Sequence, residues 1–185
     1  TGSIATFIPF NNAGINIGGD QTITSQLAFN YGILHTVGNN RIIIGDGAYV
    51  INGSSTTYID GNEEFYFAGP LGITYTIGDP NFYLPIQLTP LIATSGGIAA
   101  RTDAGDYSDL TGSGVDADKS INRTWTITSS GATTTGYYVT LHWDASDVDP
   151  LVNNSNLIAR MFNGSSWEPV TVTGSTATSI DLQYT

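Results

Sequence analysis

Apolar and polar residues take turns along much of this chain, and a period of two predicts strands rather than helices. The alternation is clearest in the last third. Ile121, Arg123, Trp125 and Ile127 share one side; Asn122, Thr124, Thr126 and Thr128 share the other. Tyr137, Val139, Leu141 and Trp143 alternate with Tyr138, Thr140, His142 and Asp144, and Leu157, Ala159 and Met161 alternate with Ile158, Arg160 and Phe162. A turn at Asn163-Gly164-Ser165-Ser166 leads into Trp167, and Val170, Val172, Ile180, Leu182 and Tyr184 complete the set. Strands with one oily and one polar face predict an antiparallel sandwich.

Earlier in the chain the strands are shorter. Apolar runs at 22–29, 33–37, 41–44 and 48–51 are broken by Gly and Asn. They recur at roughly ten-residue intervals, as in small sandwiches and β-solenoids. Further runs follow at 58–61, 63–67, 73–79 and 82–88. Pro85 removes a ladder donor, which predicts an edge strand or a bulge there. From Ala93 to Ser120 the pattern loosens into an expected loop, or a short strand plus loop. The fold class predicted is all-β. A short N-terminal strand-turn stack, β-solenoid-like or a sheet, spans 1–95 and packs with a C-terminal antiparallel β-sandwich over 96–185, as one compact unit.

Composition agrees. Thr, Ile, Val and Tyr abound, whereas good helix formers are scarce. Sixteen acids against five bases give a net charge of −11, which repels phosphate backbones and anionic bilayers alike and argues against nucleic-acid binding. No apolar run approaches the roughly 20 residues of a membrane span, so no membrane insertion is expected. Low charge density and zero cysteines fit a bacterial exterior, extracellular or cell-surface. Any export signal is expected to be cleaved or to lie outside this segment.

Five short stretches resemble one another's counterparts in a known family, in the same order. Leu27-Ala28-Phe29-Asn30-Tyr31-Gly32-Ile33-Leu34-His35-Thr36 is similar to "L-x-x-N-G-I-L-x-T". Gly53-Ser54-Ser55-Thr56-Thr57-Tyr58-Ile59-Asp60-Gly61 resembles "G-S-S-x-S-Y-V-x-G", and Thr76-Ile77-Gly78-Asp79 with Tyr83-Leu84-Pro85-Ile86 resembles "F-P-V-G-D … Y-R-P-V". Ser120-Ile121-Asn122-Arg123-Thr124-Trp125-Thr126-Ile127-Thr128 looks like "S-V-N-R-Y-W-T-I-T", and Met161-Phe162-Asn163-Gly164-Ser165-Ser166-Trp167 looks like "R-W-N-G-S-x-W". These stretches are similar to modules of large secreted bacterial surface proteins, many of them exported by the type IX route. Leu84 departs from the pattern, standing where the family often has Arg, and the family's closing strand would begin about where Thr185 falls. The resemblance implies an extracellular, multi-domain, adhesin-like or polysaccharide-associated protein whose neighbouring domains lie in the same chain. It implies no catalytic residues.

The chemistry read from the residues is correspondingly quiet. Without Cys, thiol catalysis and Cys-ligated zinc are excluded. His35 and His142 fall short of a three-ligand catalytic zinc set, and neither accompanies a G-x-S-x-G elbow. Glu63 and Glu64 are adjacent on a strand, so they point to opposite faces and cannot form a glycosidase pair. Arg123 falls on the Trp125 face, where a charge is costly unless paired or stacked; it is expected to cap a Trp ring or to pair with a carboxylate such as Asp118 or Asp144. Lys119, the only lysine, sits near Asn122 and Asp118, which raises an intramolecular isopeptide bond as a possibility. Asp103, Asp106, Asp109, Asp116 and Asp118 crowd among Gly and Ser; calcium is a candidate cofactor there, set against the turn-forming habit of aspartate. Tyr107, Tyr138 and Trp167 are candidate ligand-binding aromatics, because sugars lie on exposed rings. The function expected is a non-catalytic module of a surface protein, not an enzyme, acting in adhesion, spacing or contact with a polysaccharide or matrix partner. The alternative is a carbohydrate-binding module attached to a polysaccharide-degrading enzyme.

Overall fold

The computed structural model describes residues 2–69 and 72–185. They form seventeen strands and three short 3-10 turns, with no α-helix among the described residues. The N-terminal strands are β1 (Gly2–Phe7), β2 (Ile15–Ile17), β3 (Gln21–Ala28), β4 (Leu34–Thr36), β5 (Arg41–Ile44), β6 (Tyr49–Ile51), β7 (Ile59–Asp60) and β8 (Asn62–Phe67). After them come β9 (Ile73–Tyr75), β10 (Ile77–Gly78), β11 (Ile86–Ala93) and β12 (Gly96–Ala104). The last five are β13 (Arg123–Ser130), β14 (Thr134–His142), β15 (Ala159–Phe162), β16 (Trp167–Ser175) and β17 (Ser179–Tyr184).

The first part is a β-solenoid. The chain shuttles between two parallel sheets, β1-β3-β5-β8 and β2-β4-β7-β10, with β6 also pairing on β3. Gly2, Gln21, Ile42 and Glu63 stand in register, so one full coil takes about twenty residues and each ten-residue interval is half a coil. Side chains in register stack into ladders, Ile4-Ile23-Ile44-Phe65 on one sheet and Ile15-Leu34-Ile59-Ile77 on the other. Ile23, Ile44, Leu34, Ile59 and Ile77 are wholly buried between the sheets. Tight corners demand glycine at some positions. Gly32 has φ +82°, and a Cβ there would stand 1.8 Å from the Asn11 carbonyl oxygen.

At β8 the first sheet changes character. β12 pairs antiparallel with β8, and β13 with β12, giving the path β1-β3-β5-β8-β12-β13. Against this end lies a six-stranded antiparallel sheet, β15-β16-β17-β14-β11-β9. Its inner ladder runs Ile73-Leu88-Val139-Leu182-Val172. Tyr75 crosses between the sheets, its hydroxyl donating to the Ile98 carbonyl at 2.8 Å and its ring meeting Phe65 edge-on. Ile23 of the solenoid and Leu182 of the last strand belong to one continuous core.

One local expectation is corrected and another is resolved. The strand near Pro85 starts only at Ile86 and is interior, flanked by β14 and β9. The proline it does contain, Pro90, lies past the last β9 pair, Leu88 with Ile73, where β14 is its one strand neighbour among the described residues. The 93–120 stretch, expected to be a long loop or a short strand plus loop, takes the second form, with the nine-residue β12 ahead of its loop. Gly96 to Ala100 are buried on both faces, so no oily-polar alternation marks them. β12 follows residue 95 directly, yet joins β8 before it to β13 after it.

Arg123 pins these layers together. Its Nε and Nη2 donate to the Asp147 carboxylate at 2.7 and 3.1 Å, Nη2 also to Asp79 Oδ2 at 2.6 Å, and Nη1 to Thr102 Oγ1 at 3.2 Å. Of the two expected roles Arg123 takes the carboxylate pairing, but with Asp147 and Asp79 rather than Asp118 or Asp144. Asp79 is itself held by the backbone N–H groups of Asn81 and Phe82, and its carbonyl accepts from Tyr58 Oη. Asp147 accepts from the Asp144 N–H in a capping box. Burial disfavours the guanidinium charge, but the hydrogen bonds to Asp147 and Asp79 outweigh it and hold Arg123 above its ordinary pKa.

Candidate ligand-binding surface

Two of the three candidate aromatics meet. Trp167 opens β16, just after the turn from β15, and Tyr107 reaches it from the acidic loop that follows β12. Their rings lie edge to face at 5.3 Å and 90°. Phe162 closes the group, 5.3 Å from Trp167 at 49° and 5.5 Å from Tyr107 at 41°. Rings set at such angles make no coplanar platform; they stack on one another. Arg160 works beside them, its Nε donating to the Ser113 carbonyl at 2.8 Å. The trio therefore fastens the 105–119 loop to the β15–β16 hairpin. Asn163 builds the hairpin turn by accepting from the Ser165 and Ser166 N–H groups, with Gly164 at φ +98°.

Tyr138 lies elsewhere, on the outward face of the six-stranded sheet, and is 45% exposed. Rows of polar side chains cross that face in register: Thr74-Gln87-Thr140-Asp181 and Thr89-Tyr138-Gln183-Thr171. Of these, Gln87, Thr89, Tyr138, Thr140 and Asp181 border an open groove of about 280 Å³. Thr140 Oγ1 donates to Asp181 Oδ1 at 2.6 Å, which fixes one wall.

Four of the five candidate calcium aspartates are taken up by separate local bonds, and the fifth, Asp118, gives its backbone N–H to one of them. Asp103 pairs with Arg101, and Asp106 accepts from Ser120 Oγ at 2.6 Å. Asp109 accepts from the Thr111 N–H at 2.9 Å, a bond that holds its carboxyl below the ordinary pKa. Asp116 accepts from the Asp118 N–H at 3.1 Å and from Lys119 Nζ at 2.8 Å. Among the described residues no three His, Asp or Glu side chains group as a metal site requires. Lys119 is exposed in its pair with Asp116, not buried beside an asparagine.

Both histidines sit on outward faces with one ring nitrogen engaged. His35 Nδ1 lies 2.9 Å from Asp60 Oδ2, and His142 Nδ1 lies 2.8 Å from the Pro85 carbonyl. Glu63 and Glu64 do point to opposite faces. Glu63 enters the core, where Oε2 accepts from the Thr76 N–H at 2.5 Å and Oε1 has no partner; Glu64 turns outward under Arg41 Nη1 at 2.6 Å. Burial pushes the Glu63 carboxyl up to about 8, against the opposing pull of the Thr76 N–H.

No family model matches the chain, and no curated protein or solved structure matches it.

Proposed function

We propose that this chain is a non-catalytic module of a bacterial surface protein, outside the cell, acting by contact with a polysaccharide or matrix partner. The observation that carries this reading is the outward face of the six-stranded sheet. Hydroxyls and amides from Thr89, Gln87, Thr140 and Gln183 flank one exposed ring, Tyr138, over an open groove. Such a face offers donors and acceptors of modest strength and an apolar ring, which suits neutral hydroxyl-rich partners. A rigid two-sheet body beneath keeps these side chains in fixed register, so little order is lost on contact. The five-motif resemblance to secreted surface modules supports the extracellular setting.

A glycan array and polysaccharide pull-down test it. Binding to at least one polysaccharide or matrix glycan, weakened by Tyr138→Ala with an unchanged melting temperature, is the expected result. Release of reducing ends from the bound polysaccharide would overturn the non-catalytic reading.

A further inference from the structure

The outer face of the first sheet holds a second, larger groove of about 540 Å³, bordered by Arg41, Asn62, Ala99, Arg101, Thr126 and Thr128 among others. Its floor is low because β12 presents only the small side chain of Ala99 there. One outward position along β12, Gly97 is covered by Glu64, whose Oε1 would stand 2.0 Å from a Cβ at that glycine. On one side β8 raises Asn62, Glu64 and Tyr66; on the other β13 raises Thr126 and Thr128. The register is set by Glu64 opposite Ala99, Tyr66 opposite Gly97, Thr128 opposite Ala99 and Thr126 opposite Arg101. Tyr66 is 47% exposed and follows Asn62 and Glu64 on the same outward row of β8, opposite Gly97.

The wall chemistry is specific. Arg41 gives one N–H to Glu64 and Arg101 gives one to Asp103, and neither guanidinium has another side-chain or backbone acceptor among the described residues. Arg101 Nε is shut away from water without an acceptor. Each guanidinium carries five donors, so most remain for a ligand, while the paired carboxylates and threonine hydroxyls still accept. Arg41 and Arg101 against Glu64 and Asp103 sum to zero charge, within a chain of net −11. An anionic polymer meets only repulsion from the surroundings, whereas a neutral one meets none. Strand spacing of about 4.8 Å makes the four strands β5, β8, β12 and β13 a path of roughly 14 Å, long enough for a chain ligand lying across them.

We propose that this groove binds a neutral oligosaccharide chain, its hydroxyls taken by the Arg41–Glu64 and Arg101–Asp103 pairs and the threonines, with one sugar face on Tyr66. This rests on the polysaccharide reading above but assigns a different face and a ligand class.

Affinity electrophoresis in gels containing soluble starch, xylan, galactomannan or β-glucan, with alginate and heparin as anionic counterparts, tests it. The expected result is retardation by at least one neutral polymer. That affinity should fall at least tenfold in Arg101→Ala, in Tyr66→Ala and in Thr128→Arg, which fills the groove, all with native melting temperatures. Trp167→Ala, in the aromatic fastener on β16, should keep it. Affinity lost in Tyr138→Ala but kept in Arg101→Ala overturns this inference and leaves the proposed function standing. Affinity confined to alginate or heparin overturns the ligand class. Absence of binding to every neutral polymer overturns the groove assignment, while reducing-end release alone overturns only the non-catalytic reading.

Discussion

At the scale of single residues, two buried charges carry most of the consequence. Arg123 has no exposed side-chain surface, and both its carboxylate partners are nearly as buried. Removing it strands Asp79 and Asp147 in the core, so Arg123→Met should cost about 3–5 kcal/mol in denaturant unfolding, the usual penalty for breaking a buried pair. A loss under 1 kcal/mol would show the triad to be dispensable. The alternation of β13 marks Arg123 as inward and in want of an acid. The acids near in sequence mislead, because Asp79 comes from a turn 44 residues away. Glu63 is the second case. Its folded pKa stands at about 8 against an ordinary 4.5. Below pH 4.5 both states hold the proton and no penalty exists. Between the two values the unfolded carboxyl ionises while the folded one does not, so stability falls by about 1.4 kcal/mol per pH unit. Above about 8 the full loss persists. Glu63→Gln should therefore match the wild type near pH 4 and exceed it by a few kcal/mol at pH 9, read as the difference between urea midpoints at the two pH values. Parallel pH profiles would contradict the buried setting.

At the scale of elements, the short N-terminal strands hold because each extends a ladder rather than by their own length. β7 has two residues and β10 has two, too few to persist alone. Ile59 sits wholly buried between Leu34 and Ile77 in the second solenoid sheet. Ile59→Ala should cost about 2–5 kcal/mol, from lost transfer energy plus the cavity left between neighbours that cannot collapse. A chemical denaturation curve checks it, and a cost near zero would mean the coil repacks freely. The strand-turn rhythm of this region is legible in sequence, because Gly and Asn punctuate it. β12 is not, because a strand of Gly, Ala and Ile buried on both faces lacks the alternation that betrays a half-exposed strand.

At the scale of the whole molecule, solenoid and sandwich share one core and one sheet, joined through β8 and β12. They should melt together. A single calorimetric transition is expected, with calorimetric and van't Hoff enthalpies agreeing; two resolved transitions would mean the halves fold separately. The acidic loop hangs on the Tyr107–Phe162–Trp167 contacts and on local caps. Among the described residues no three of its carboxylates group as metal ligands, so EDTA and millimolar calcium should both leave the melting temperature unchanged. A calcium-dependent rise of several degrees would reinstate the aspartates as ligands. Tyr107 and Trp167 were legible as aromatics outside the alternating core, but their mutual tilt, which decides between platform and fastener, depends on two loops meeting.

The sequence alone determined that the chain is all-β, that a strand-turn stack precedes an antiparallel set, and which residues of β13, β14 and β17 face inward. Those features follow from the alternation of side chains along a strand and from turn chemistry, both local in the chain. Tertiary structure alone decided the partners of Arg123, the burial of Glu63, the dispersal of the aspartates and the low groove floor at Ala99. Each of these depends on which strands become neighbours, and pairing across tens of residues is set by packing of the whole core, which no local pattern encodes.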